Sequence, residues 1–479
     1  MMELKPEKVF YYFEEISKIP RGSGNTREIS DYCVAFAKKR NLEVYQDAWN
    51  NVIIRKQSSA GRENERGIII QGHLDMVTEK VPGSKHDFYK DPIELMVEGE
   101  YLTAKDTTLG ADDGIAVAIA LAILDDEELS HPQLEVIFTT DEETGMDGAM
   151  NIDLSCITGS YVLNLDSEDE GIFTAGCAGG AKVHTVIPLS GIKKQGTVFS
   201  LTVRGLKGGH SGVEIDKERA NANILMGRIL GDFLGSYGEI GIISVTGGGK
   251  DNAIPRMCVT RFVGEHQKAE AYAGKIKDLE KVIREEYATS DPDISFLLSI
   301  EGEGSEEVLD RKSTEKLLMY LNFVPNGIRA MSQDIPGLVE TSANLGIFDL
   351  NQTRLESCTS VRSSVHSRKQ HLISQLSMLA GYLGGEVTVT GDYPEWSFKK
   401  QSRLREKMTE LYRDMFQEEP KINVIHAGLE CGYLLQKNPK LDIISFGPQM
   451  YDIHTSEEKL SIPSTEKIYR FVRALIEQG

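Results

Sequence analysis

A chain of 479 residues is too long for one ordinary domain and predicts two or three. Its 40% hydrophobic and 26% charged side chains exclude a disordered polypeptide. With 53 basic against 73 acidic side chains and a formal charge of -20, a general nucleic-acid binder is also excluded, because a phosphate backbone needs basic surface.

The N-terminal stretch MMELKPEKVFYYFEEISKI has helical apolar spacing with acids throughout. It lacks the basic start and apolar run of a secretion signal. A first helix is predicted over Val9 to Ile19, stopped by Pro20, and a second over about Thr26 to Lys39. Short strands follow at Leu42 to Tyr45 and Val52 to Lys56, then a polar loop. The run Ile68 to Ile70 reads as a strand buried on both faces of a largely parallel sheet, with His73 and Asp75 just past its end. Gly114 to Leu124 is a small-residue helix. Leu134 to Thr139 and Val162 to Leu165 are two more buried strands, ending at DEETG and at Asp166. Three core strands therefore end in acidic or imidazole groups, where α/β sheets carry their chemistry.

After Cys177 the texture changes to Gly-rich turns between strands and helices. A second, separately packed α+β domain is predicted over 191–390, read as two similar halves. The final part returns to α/β texture, with a charged helix from Ser397 to Phe416, strands near Ile422 to Ile425 and Leu441 to Ile444, and helices near Leu429 to Lys437 and Ser464 to Ile476. The last helix is expected to pack on the first domain. The fold class is thus α/β: a discontinuous catalytic domain, 1–190 and 391–479, with a helix-covered central sheet and an inserted domain at 191–390. No stretch of about 18 apolar residues occurs, so no membrane span is expected. The six cysteines are Cys33, Cys156, Cys177, Cys258, Cys358 and Cys431, scattered without a CxxC pair. This excludes a disulfide framework and a four-thiolate zinc site, and suits a cytoplasmic protein with reduced thiols.

The candidate metal ligands are His73, Asp112, Glu143, Asp166 and His454. Imidazole nitrogen and carboxylate oxygen serve divalent zinc well. A metal pair needs one bridging carboxylate and further N or O donors on each side, and two imidazoles with three carboxylates meet that need. Asp75 is placed to fix the His73 tautomer. Glu142 and Glu143 are adjacent, so one can bind metal while the other faces the attacking water. Glu142 is read as the general base, removing a proton from that water and returning one to the leaving amine.

The ordered blocks GHLDMV at 72–77, TTLGADDGIA at 107–116, TTDEETGM at 139–146, NLDSEDEG at 164–171, GGHSGVEI at 208–215, DNAIPR at 251–256, SVRSS at 360–364 and HAGLECG at 426–432 carry a resemblance. The chain resembles the aminoacylhistidine (Xaa-His, PepD-type) dipeptidases, within the di-zinc metallopeptidases that include aminoacylases and carboxypeptidases. The resemblance implies that His73 and Asp166 bind one zinc, that Asp112 bridges, and that Glu143 and His454 bind the other. It implies a cis Asp112–Asp113 bond. Asp113 stands where relatives often have Asn, and Asp106 where Gly is common. The inserted domain is a lid in that family. His210, from the same chain or from a partner subunit, would donate to the oxyanion. Asn252 and Arg362 would hold the substrate backbone and its C-terminal carboxylate, for which a guanidinium fork is apt. His426 and Glu430 are further substrate-binding candidates, with Glu430 facing the substrate amino group. Read alone, Arg362 is a surface ion-pair residue, His210 a loop histidine and Glu430 a helix N-terminal acid. His86, His131, His184, His266, His366 and His371 carry no motif.

The expected function is metal-dependent hydrolysis of dipeptides, Xaa-His dipeptides included. The expected cofactors are two divalent ions, zinc first and cobalt or manganese next. The partners are a small peptide substrate and a second copy in a homodimer, with no nucleic acid and no membrane. The rival readings are a tripeptidase, aminoacylase or carboxypeptidase of the same chemistry, and a non-catalytic peptide- or metal-binding relative.

Overall fold

The computed structural model describes residues 4–238 and 240–479. The chain forms two compact units: one holds the chain up to Gly176 with Phe398–Val424 and Leu429–Gly479, the other Cys177–Ser397 with Ile425–Gly428.

The first unit is built on an eight-stranded sheet. In spatial order its strands are Glu43–Gln46, Val52–Lys56, Leu134–Thr139, Ile68–His73, Tyr161–Asn164, Asp442–Ser445, Ile172–Cys177 and Lys421–Ile425. The sheet is mixed. Its third to sixth strands run parallel, and antiparallel pairs flank them. Ile68–His73 and Leu134–Thr139 are buried along their whole length, which is why their sequences are continuous apolar runs rather than alternating ones. The first of these strands extends through His73, so His73 closes the strand and Asp75 lies beyond it. Helix Ala111–Leu124 is buried at every position, as expected of a helix apolar all round. Helix Glu7–Ser17 stops before Pro20, its Lys18 amide bonding back to the Glu15 carbonyl. The charged helix begins at Arg403, not at Ser397, because the Ser402 side chain accepts the Arg405 N–H and caps it there.

Aromatic packing brings the C-terminal segments into the same core. Phe173 lies 5.5 Å from Tyr412, 5.8 Å from Phe446 and 5.7 Å from Phe471, ring centre to ring centre. Burying each such ring stabilises the unit by roughly 1.5–3 kcal/mol. The terminal helix Ile462–Gln478 sits in this core through Ile468, Phe471, Val472, Leu475 and Ile476. A small sheet, ordered Met450–Tyr451, Lys459–Ser461, Tyr101–Ala104 and Leu95–Glu98, pins the segment around His454 to the N-terminal half of the unit.

The main sheet of the second unit is ordered Ser295–Leu309, Gly191–Arg204, Cys258–Gly264, Gly241–Gly247, Val339–Leu350, Arg354–Ser363, Gly179–Pro188 and Glu386–Tyr393, with Gly327–Met331 paired to Val339–Leu350. The order contains a repeat. The strands at 191, 241, 258 and 295, with helices Ala222–Tyr237 and Ala269–Glu286, are arranged as fourth, first, third, second. Those at 179, 339, 354 and 386, with helices Arg311–Phe323 and His366–Tyr382, show the same order in reverse. The two second strands pair with each other. Gly179–Pro188 precedes the whole first half in sequence, so that half is nested inside the other. Among the described residues no helix is long and apolar enough to cross a membrane.

Candidate metal centre

The parallel strands deliver their ends to one place. His73 closes strand Ile68–His73, Glu142 and Glu143 open a four-residue helix just after Leu134–Thr139, and Asp166 follows Tyr161–Asn164 by two residues. Asp112 sits in the irregular first turn of Ala111–Leu124, where it and Asp113 leave helical geometry and share a cis peptide bond. His454 arrives on the loop between strands Met450–Tyr451 and Lys459–Ser461 of the small sheet. The turn after Leu134–Thr139 is how two consecutive glutamates reach one site, which a regular strand would forbid.

The geometry links these groups in a chain. Asp112 stands between two imidazoles: Oδ1 is 3.1 Å from His73 Nε2, and Oδ2 is 3.0 Å from His454 Nε2. His454 Nε2 also lies 3.1 Å from Glu143 Oε2, and His73 Nε2 lies 3.7 Å from Asp166 Oδ1. Three overlapping donor groups, His73–Asp113–Asp166, His73–Glu142–Glu143 and Asp112–Glu143–His454, each have their ligand atoms within 4.8 Å of one another. Asp75 lies behind His73, its Oδ1 3.4 Å from Nδ1. It also accepts the Ser23 hydroxyl at 2.8 Å and the amide N–H groups of Glu142 and Glu143 at 3.2 and 3.4 Å. Asp75 therefore orients both the imidazole and the glutamate turn. Asp113 accepts the His73 backbone N–H at 3.1 Å.

The electrostatics report crowded negative charge. Burial pushes Asp166 and Asp113 well above the usual carboxylate range; Asp166 and Asp112 raise Asp113 further, and Asp112, Glu142 and Glu168 raise Asp166 against the pull of His73. Burial lifts Glu142 to about 8, with Glu430, Glu143 and Asp112 adding to it against the pull of His73. His454 is raised to about 10 by its hydrogen bonds to Asp112 and Glu143. Burial lowers His73, but Asp112, Asp75 and Asp166 outweigh it and hold the ring well above its ordinary value. Burial raises Asp112, and hydrogen bonds from His454 and His73 overcome it, leaving this carboxylate well below its usual range. These imidazole nitrogens and carboxylate oxygens are suited to divalent cations. Glu143 Oε1 is buried without a partner, as a ligand atom awaiting a cation would be. The donor set is the hard N/O type that fits a pair of zinc-like ions.

The other sequence-predicted residues divide between the units. Glu430 belongs to the first unit and is 0% exposed. Its Oε2 accepts from Gln71 Nε2 at 2.8 Å and Thr139 Oγ1 at 2.6 Å, Oε1 has no partner, and burial raises it to about 7. His210, Asn252, Arg362 and His426 gather in the second unit. The two-residue strand Gly209–His210 pairs with Ala253–Ile254, and the Ser211 N–H donates to the Asn252 carbonyl at 2.9 Å. Arg362 donates to the Tyr393 hydroxyl at 2.9 Å. Burial and then Arg362 lower His210. The same two causes, with His210 added, bring His426 down to about 3. His426 Nε2 lies 2.8 Å from Ser342 Oγ. Gln71, Thr139, Arg21 and Glu458, all buried beside the centre, have no role among the sequence-predicted site residues. Arg21 directly follows Pro20, and Glu458 stands four residues after His454 beside Glu457; those positions are the only signals.

A mixed α/β sheet with imidazole and carboxylate donors converging at its parallel strand ends defines a di-metal hydrolase. The chain belongs to Peptidase family M20/M25/M40, whose model matches residues 69–478, and it is a metallopeptidase. It is 34% identical over 483 residues to the cytosol non-specific dipeptidase of Escherichia coli (strain K12), covering 100% of this chain and 99% of that one. Its structure is similar to that of aminoacylhistidine dipeptidase from Vibrio alginolyticus, with a TM-score of 0.94, 33% identity and coverage of 99% and 97% of the two chains. It shares its fold with aminopeptidase PepT from Bacillus cereus ATCC 10987, at a TM-score of 0.58 and 16% identity over 99% of both chains.

Proposed function

We propose that this metallopeptidase is a dipeptidase that accepts Xaa-His dipeptides among others and uses two zinc ions with Glu142 as general base. The observation that carries the reading is the placement of Asp112 between His73 and His454, with Glu142 and Glu143 on one turn tied to Asp75. Full-length similarity to two proteins named as dipeptidases supports the substrate class. His73 and Asp166 would hold one ion, Glu143 and His454 the other, and Asp112 both. When bound, such ions polarise a scissile carbonyl and acidify water. Glu142 takes the proton of the attacking water and passes it to the leaving nitrogen. Asp75 keeps His73 in one tautomer. His210 donates to the carbonyl oxygen as it gains charge, and Asn252, Arg362 and His426 hold the substrate main chain and its carboxylate. Glu430, with one oxygen unpartnered, receives the substrate ammonium. A cytoplasmic location belongs to the same reading, since six cysteines scattered without a CxxC pair suit reduced thiols.

The test is a substrate panel on the purified enzyme before and after chelation. Dipeptides, C-terminal histidine included, are cleaved, activity is lost on chelation, and zinc, cobalt or manganese restores it. Preference for tripeptides or N-acyl amino acids over every dipeptide would overturn the substrate assignment.

A further inference from the structure

Two buried side chains outside the ligand set tie the ligand-bearing segments to one another. Arg21 is 2% exposed. Its Nη1 donates to the carbonyls of Leu74 at 3.0 Å and Asp75 at 3.1 Å, and its Nη2 donates to the carbonyl of Gly110. One cation thus joins the segment that carries His73 to the segment that carries Asp112. Gly110 and Gly114 make room for it, because a Cβ at either position would collide with the guanidinium.

Glu458 is 3% exposed. Its Oε2 accepts the N–H groups of Leu109 at 2.8 Å and Gly110 at 3.0 Å, and its Oε1 accepts those of Ala111 at 2.8 Å and Asp112 at 3.3 Å. Those amides lead into the start of helix Ala111–Leu124, where backbone N–H groups lack partners within the helix and negative charge is favoured. Glu458 stands four residues after His454. One anion thus joins the His454 segment to the Asp112 segment. The short turn at 109–112 is gripped from both sides, by its amides through Glu458 and by the Gly110 carbonyl through Arg21.

We infer that Arg21 and Glu458 are positioning residues that set Asp112 between His73 and His454, and so set how tightly the centre holds its second divalent ion. The inference rests on the di-metal reading of the centre. Its logic is geometric. Asp112 points one oxygen at each imidazole, so a displacement of its backbone cannot be corrected by turning the side chain without losing one of the two sides. A first ion can settle on whichever side keeps its donors, and the second depends on both. Lys at 21 keeps the charge but cannot reach three carbonyls from one planar fork. Gln at 458 keeps the shape but turns one of the two acceptor atoms into a donor facing amide N–H groups.

The test titrates cobalt into metal-free full-length protein, wild type against Arg21→Lys and Glu458→Gln. Stepwise affinities come from calorimetry and ligand geometry from the visible cobalt spectrum. The melting temperature of the metal-free proteins is measured alongside. The expected result is near-normal binding of the first ion, second-ion affinity weakened by about 10- to 100-fold, as is typical when a residue supporting metal ligands is lost, and an altered spectrum. With a dipeptide, kcat falls while KM holds. Wild-type affinities and spectrum in both variants would overturn the inference. So would an equal loss at both steps that merely follows a lowered melting temperature. If Arg21→Lys does not fold, Glu458→Gln decides. A wild-type protein that binds fewer than two ions brings down the di-metal reading, and this inference with it.

Discussion

At the residue scale, neighbouring carboxylates are separated by what they touch. Glu143 faces His454 at 3.1 Å, while burial, with Glu430, Glu143 and Asp112 adding to it, lifts Glu142 to about 8. Glu142→Gln should retain two ions per chain by metal analysis and lower kcat by about 10²- to 10⁴-fold, the range for losing general acid–base help. Near-normal turnover would remove Glu142 from the base role. His426 makes a prediction of a different kind. An unfolded imidazole titrates near its ordinary 6.5, whereas burial beside Arg362 brings the folded one to about 3. Protons therefore bind the unfolded chain first. The contribution to stability is full above about pH 6.5 and is lost as pH falls toward 3. His426→Gln should flatten that part of the stability-against-pH curve, measured by denaturant melts from pH 7 to 4. An unchanged slope would show that the ring titrates normally. Arg362, His210 and His426 stand together in the second unit, yet they occupy three distant blocks of sequence, and only the motif match drew attention to them.

At the element scale, strand Ile68–His73 and helix Ala111–Leu124 lie in close contact at Gly72. A Cβ there would come within 2.6 Å of the Ala116 methyl and would also strike the Asp113 carboxylate. Gly72→Ala should therefore cost about 1–3 kcal/mol, the usual penalty of overpacking, read as a lower denaturation midpoint at unchanged slope. It should also weaken metal binding, since Asp113 is fixed to the His73 amide. A neutral effect would mean that the strand and helix separate readily. Elements with a strong pattern are legible in the sequence: the apolar runs predict Leu134–Thr139 and Val52–Lys56 with the bounds they have, and the last helix to within two residues at each end. Boundaries set by local hydrogen bonding are not. The Ser402 cap depends on where a side chain points, which residue type alone does not specify, whereas the cis Asp112–Asp113 bond that the resemblance implies is present.

At the scale of the whole molecule, each unit has its own core, and every member of the candidate metal set lies in the first. Anything that binds only the folded form of a unit stabilises that unit. Calorimetry should show two transitions, of which chelation lowers one and zinc restores it. The second transition should hold its temperature throughout. A single transition that shifts as a whole would show that the two cores unfold together.

The amino-acid sequence by itself determined the chemistry on offer: which strands are buried on both faces, and that each ends in an imidazole or a carboxylate. Apolar run length and residue type carry that information locally. The tertiary structure decided the rest. The mixed pairing of the outer strands, the reversed order of the two halves in the second unit and the return of His454 to Asp112 across 342 positions all depend on long-range contacts. So do Arg21 and Glu458, whose roles are defined by backbone carbonyls and amides that no residue name records.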